Sequence, residues 1–252
     1  VDGLHQSRAL ALPAFPSETG GRKTTPIGFR RKGVWEMPEG TVLLKTLSLE
    51  SIEGDSESMR HVETQVLTLQ DEDWAAYVYK WNKEQTDATL VDAGGEDVSF
   101  SIETSSGKHE FSWRHAGRAE CMFCHSRAAG FALGMNTLQL NRDHDYDGII
   151  DNQFRVFDHL RLFTDDWIGE TRKKIRSEVI KDQELDQKSA DDHVKELFGG
   201  SRAYPHPRSD RLAHLPTSSE YVRQADPFDE NASLDVRARS YLHANCANCH
   251  IG

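Results

Sequence analysis

The sequence predicts an α+β chain: an N-terminal antiparallel β-sandwich-like half followed by helical segments. Three observations carry this. Between about residues 35 and 116, short stretches alternate apolar and polar side chains with the period of two that half-buried strands require. Beyond residue 117 the apolar spacing lengthens to that of a helix. The 8 prolines all lie at or before Pro38 or at or after Pro205, which leaves an unpunctuated body between them.

Residues 1–34 read as an irregular entry segment. In the β-rich stretch 35–116, TVLLKTLSLE and HVETQVLTLQ are strands, and a phase slip at Val66 and Leu67 suggests a bulge in the second. WAAYVYKW places Tyr77, Tyr79 and Trp81 on one face, and DVSFSIET does the same with Val98, Phe100 and Ile102. HEFSWRH aligns His109, Phe111, Trp113 and His115. Residues 117–200 form a first helical region, where Val156, Leu160 and Phe163 share a stripe. Ser189 caps a helix carrying Val194, Leu197 and Phe198, and Gly199 ends it. Residues 201–232 read as a linker. Residues 233–252 open with a helix through Leu234, Ala238, Tyr241 and Leu242 that runs into a cysteine motif.

The chain has 252 residues, 37% hydrophobic and 28% charged, with a net charge of −11. That acidity argues against nucleic acid or an anionic membrane as the main partner. No apolar run approaches the roughly 18 residues of a spanning helix. The start has neither an initiator Met nor the regions of a signal peptide, so the reading expects a piece of a longer chain whose export signal lies upstream.

All 4 cysteines fall in two C-x-x-C-H strings, ECMFCHSR and ANCANCHIG. In a c-type haem site two thiols add across the porphyrin vinyl groups and the adjacent histidine ligates iron. Cys121 and Cys124 would carry the thioethers of one haem with His125 axial, and Cys246, Cys249 and His250 those of a second. Zinc is the main rival, but paired C-x-x-C zinc sites use spacers of about 15 to 20 residues and need no histidine after each pair. A thioredoxin-like dithiol would want a βαβ setting, and structural disulfides are the remaining option. The haem reading is the strongest. It makes the expected class α+β, with helical c-type haem-binding segments after the β half.

The strings FSWRHAGRAECMFCHSRAAGFALGMNTLQLNRD and RARSYLHANCANCH, with EGTVLLKTLSLE and YVYKWNKEQTDATLVDAGGED in the β half, resemble a family of bacterial dihaem c-type cytochromes. Some members are associated with or fused to PQQ-dependent sugar dehydrogenases. The resemblance spans most of residues 35–145 and 233–250. It implies an exported, periplasmic or secreted protein that relays single electrons from a dehydrogenase to an acceptor, with redox proteins as partners and no catalysis of its own. The alternatives are a dihaem peroxidase-like enzyme with one open iron, or the cytochrome portion of a PQQ sugar dehydrogenase. A third reading makes the β half a docking module built on Tyr77, Tyr79 and Trp81. Only Ile251 and Gly252 follow His250, where a cytochrome normally continues, and a fragment is the favoured explanation.

Met135 and His115 are candidate distal ligands for the first iron, with His109 behind them; His206, His214 and His243 are candidates for the second. DHDYDGIIDNQF sets Asp143, Asp145, Asp147 and Asp151 at calcium-loop positions 1, 3, 5 and 9, with Gly148 at 6. Phe154 stands where a bidentate glutamate belongs, leaving Asp158 or a carbonyl as substitute.

Overall fold

The computed structural model describes residues 4–17, 20–30, 33–163, 186–197 and 224–247, with a few positions between 173 and 181. The chain divides into two units: residues 1–14 with 38–127, and residues 15–37 with 128–252.

The strands in chain order are β1 (Leu4–Ala11), β2 (Ala14–Pro16), β3 (Arg22–Thr24), β4 (Val42–Glu50), β5 (Met59–Gln70), β6 (Asp73–Trp81), β7 (Ala88–Leu90), β8 (Glu96–Thr104) and β9 (Gly107–His115). In the first unit β1, β4, β5, β6 and β7 form one antiparallel sheet in that order, and β8 and β9 form a two-stranded ribbon. Leu47, Leu49, Val62, Leu67, Leu69, Ala76, Val78 and Val91 are its buried apolar residues. Each large side chain among them contributes about 1.5–3 kcal/mol by leaving water. The β5–β6 turn is two residues long with positive φ at Asp71 (53°) and Glu72 (65°). The Glu39 carboxylate accepts from both turn amides, at 2.6 and 3.2 Å, which compensates for the absent glycine.

Two details differ from the expected pattern. On β6 the deepest residues are Ala76 and Val78, and Tyr77, Tyr79 and Trp81 line the half-buried opposite face. On β5 the bulge falls at Val62, not at Val66 and Leu67. Leu47 pairs with Glu63 and Ser48 with His61, so Val62 is the extra residue, and Val62 and Glu63 are buried in succession. A bulge breaks the alternation of faces and re-aims the side chain that follows. Here that side chain is a carboxylate.

The β-sandwich-like N-terminal half fits. The helical c-type haem-binding segments expected after it are not evident, and the described residues hold more strand than helix. The described helices are α1 (Arg118–Cys124), α2 (Thr137–Leu140), α3 (Gln153–His159), α4 (Gln187–Leu197) and α5 (Leu234–Asn245). Local chemistry explains the shortfall. The stretch AAGFALGM cannot wind because Gly130, Phe131 and Gly134 take φ of 70°, 59° and 84°. Asp147 and Gly148, at φ 55° and 91°, close a hairpin of β10 (Asp143–Tyr146) and β11 (Ile149–Asn152). The stripe through Val156 and Leu160 stops because α3 ends at His159, and Phe163 bridges Ile27 instead. Asp186, rather than Ser189, caps α4, accepting the Ser189 amide at 2.8 Å; Phe198 and Gly199 lie outside the described residues.

The second unit is centred on Trp35, 2% exposed, with the rings of Phe29, Phe157 and Phe163 at 6.0, 6.4 and 5.0 Å. Its indole N–H donates to the Arg30 carbonyl at 3.2 Å and the Thr137 hydroxyl at 3.3 Å, so the buried ring leaves no orphan donor.

Candidate functional site

The first C-x-x-C-H motif is the C-terminal end of α1, a helix of 7 residues. Helices this short are not stable alone, and the β unit supplies what α1 lacks. The Glu120 carboxylate reaches back to accept the Gly117 amide at 2.6 Å, the arrangement that satisfies an orphan N–H at a helix start. Arg114 at the end of β9 holds the same carboxylate through Nη2 at 3.1 Å. It also donates to the Gly94 carbonyl at 2.6 Å and to Asp97 at 3.3 Å. The Arg118 amide donates to the Ala93 carbonyl at 3.2 Å, and its guanidinium lies 4.8 Å over the Tyr77 ring of β6. At the far end the His125 amide closes the last turn on the Cys121 carbonyl at 3.1 Å, and the backbone leaves the helix there.

Spacing within α1 arranges the thiols. Cys121 and Cys124 are three residues apart and so share a helix face. Cys121 is half-buried, Cys124 is exposed, and both are free thiols. Phe123 between them is 76% exposed.

In the same unit lies a polar cluster that the sequence reading did not anticipate. His115 Nδ1 meets Glu63 Oε2 at 2.6 Å, with both side chains 1% exposed. The Trp113 indole N–H donates to the same oxygen at 3.0 Å, and the Gln65 amide donates to Oε1 at 2.6 Å. Burial alone would raise the Glu63 pKa. The bonds from His115, Trp113 and Gln65 outweigh it and hold the carboxyl below its ordinary value. The cysteine responds in the opposite sense: burial first, then the charges of Glu63 and Glu120, push the Cys121 thiol up. A redox dithiol needs a depressed pKa, so the environment of Cys121 opposes that reading. Among the described residues no group of three or more histidines, cysteines or carboxylates converges as a metal site, so Cys121, Cys124 and His125 do not close on one point as zinc requires. The two thiols lie along one edge of α1, with the His125 imidazole just past its end.

The chain matches no protein-family model, no curated protein and no solved structure.

The other predicted residues fall as follows. His115 is enclosed in the Glu63 cluster and stacks edge-on to Phe100 at 6.3 Å. His109 is exposed beside Phe111. Met135 belongs to the second unit, where its carbonyl accepts the Trp35 amide at 2.8 Å. The acidic stretch is a hairpin in which His144 faces Asp151 and Asp145 faces Ile150. Directly paired residues share a face, so Asp151 lies on the opposite side from Asp143 and Asp145. The Asp145 carboxylate is turned inward to the Gly148 amide at 2.5 Å. The side chains of Phe154 and Asp158 lie outside the described residues.

Of the second motif, Cys246 is described and exposed, just past α5, whose start the Ser233 hydroxyl caps at 3.4 Å. Cys249, His250, His206 and His214 lie outside the described residues. The apolar stripe of α5 forms as expected but faces outward: Leu234, Tyr241 and Leu242 are 77%, 54% and 55% exposed. With Phe228 and Ala238 they line a shallow apolar groove. His243 on the same helix has a buried Nδ1 with no partner among the described residues, and burial lowers its pKa.

Sequence reasoning missed Glu63, Gln65, Arg114, Gly117 and Glu120. Only Glu120 had a legible signal, an acid at the third position of a helix whose start was recognisable.

Proposed function

We propose that the chain is an extracytoplasmic dihaem c-type cytochrome, in the line of the family it resembles, and that it passes single electrons between redox proteins. The observation that carries this reading is the seat of the first motif. Two thiols on one face of a clamped helix are followed by an imidazole, around a cysteine whose environment disfavours thiolate chemistry. A bound haem c would supply a one-electron iron couple. Cys121 and Cys124 would tether one haem and His125 would serve as its axial ligand, with Cys246, Cys249 and His250 doing the same for the second. The outward apolar face of α5, next to Cys246, offers the contact surface that a porphyrin face prefers.

No described helix is long and apolar enough to cross a membrane. The expected partners are an electron-donating dehydrogenase, of the quinoprotein kind by resemblance, and an acceptor. An extracytoplasmic location follows from where covalent haem attachment takes place in bacteria.

The test is the intact mass and reduced pyridine haemochrome spectrum of protein produced with a haem c maturation system. Two covalent haems are expected. Replacing Cys121 and Cys124 by serine should remove one of them, and replacing Cys246 and Cys249 the other. A chain that emerges without haem under those conditions overturns the proposal.

A further inference from the structure

A fully buried carboxylate is among the most expensive groups a fold can carry, and nothing in the electron-transfer reading so far uses Glu63. Its place is no accident of burial. The bulge at Val62 turns it into the interior, and Trp113, His115 and Gln65 converge on its two oxygens. Trp113 and His115 belong to the strand that leads directly into α1, so the carboxylate is fixed at the root of the first cysteine motif.

We infer that Glu63, anchored by His115, Trp113 and Gln65, sets the reduction potential of the haem held at Cys121, Cys124 and His125. The inference rests on the haem reading above. Its physical basis is the sign of the charge: a fixed negative charge near a redox iron favours the more positive, oxidised state and lowers the potential. Solvent screens such a charge little when it is buried.

The charges around it support this. The strand that carries His115 and Trp113 ends three residues before α1, and the Cys121 thiol is pushed up by burial first and then by the charges of Glu63 and Glu120. Two of the neighbouring cations are engaged elsewhere. Arg114 is bound to Glu120 and Asp97, and Arg118 lies over Tyr77. Lys45 on β4, opposite Gln65, lies between the influence of Arg8 and Glu63 and makes no ion pair with Glu63 among the described residues. His115, in direct contact, and Lys45 are the groups near Glu63 able to carry positive charge, and they offset its field in part.

The experiment is a spectroelectrochemical titration of the full-length dihaem protein and its Glu63→Gln variant. One of the two midpoints should rise and the other stay in place, and Glu63→Asp, which keeps the charge, should remain close to the parent. Two bound haems with both midpoints unmoved by Glu63→Gln overturn the inference and leave the cytochrome reading standing. A second readout needs no haem. In the haem-free chain carrying Cys124→Ser, Cys246→Ser and Cys249→Ser, maleimide labelling of Cys121 at neutral pH should accelerate with Glu63→Gln. No acceleration counts against a field from Glu63. Should Glu63→Gln fail to fold, the joint replacement Glu63→Gln with His115→Gln removes the ionisable pair while an amide oxygen remains to accept from Trp113. It should raise the same single midpoint, and an unchanged midpoint there overturns the inference equally.

Discussion

Gly117 passes so close to Ala93 that a Cβ on it would stand 2.4 Å from the Ala93 carbonyl oxygen. The same loop returns the constraint, since a Cβ on Gly95 would meet the His115 carbonyl at 2.6 Å and the Gly117 amide at 2.7 Å. The two segments hold α1 against the sheet by backbone contact, with the Arg118 amide bonded to the Ala93 carbonyl. Gly117 has an ordinary φ of −73°, so the demand at this position is for space rather than conformation. Gly117→Ala should therefore cost about 1–3 kcal/mol, the range for forced overpacking, read as a lower urea midpoint. On the proposed haem reading it should also reduce haem occupancy at the first motif while the second keeps its own. A variant with unchanged stability would mean that the 91–95 loop yields freely and does not clamp α1.

The Glu63 cluster predicts the acid limb of stability. Its folded pKa lies below its ordinary value of about 4.3. The contribution is then complete above that ordinary value and is lost as pH falls through the lower folded pKa. Unfolding free energy measured from pH 6 downward should fall in that window, and Glu63→Gln should flatten that part of the profile. Glu63→Ala, which strands His115, Trp113 and Gln65 without their acceptor, should cost about 3–5 kcal/mol at neutral pH. An acid profile identical in the parent and Glu63→Gln would remove the cluster from the account of stability.

The alternation of DVSFSIET and HEFSWRH was legible because each strand faces solvent on one side, and period-two patterns record that asymmetry. The bulge was not. One extra residue at Val62 changes which side chain turns inward without altering composition, so Glu63 reads as an ordinary polar strand residue. The helical reading of residues 128–163 failed for a related reason. Apolar spacing counts side chains, whereas Gly130, Phe131, Gly134 and Arg161 break the path with positive φ. The C-x-x-C-H strings are read directly from cysteine and histidine spacing, and the first stands at the end of α1. Its support was not legible, because Arg114, Gly117 and Glu120 act through the loop at 93–97, which only tertiary structure brings to them.

The acidic hairpin makes a prediction about calcium. With Asp151 on the opposite side of the ribbon from Asp143 and Asp145, those three carboxylates do not share a face, and among the described residues no group of three or more ligating side chains converges as a calcium ion requires. A ligand that binds the folded form raises its melting temperature in proportion to the logarithm of its concentration over Kd. Millimolar calcium should therefore leave the thermal midpoint where EDTA leaves it. A rise with calcium that Asp145→Asn abolishes would show that the hairpin rearranges around the ion.

Thiol reactivity separates a haem attachment site from a redox dithiol before any haem is added. Cys124 is exposed at the end of α1, whereas Cys121 is half-buried with burial and two carboxylates disfavouring its thiolate. In the haem-free chain, single-cysteine variants that keep Cys121 or Cys124 should label with iodoacetamide at different rates near pH 7.5, Cys124 the faster. The gap should narrow as pH rises and Cys121 ionises. A thioredoxin-like pair would behave differently, with one thiol depressed toward neutrality and reacting anomalously fast even at pH 6. Fast labelling of Cys121 at that pH would reinstate dithiol chemistry at the first motif and reverse the order of preference argued above.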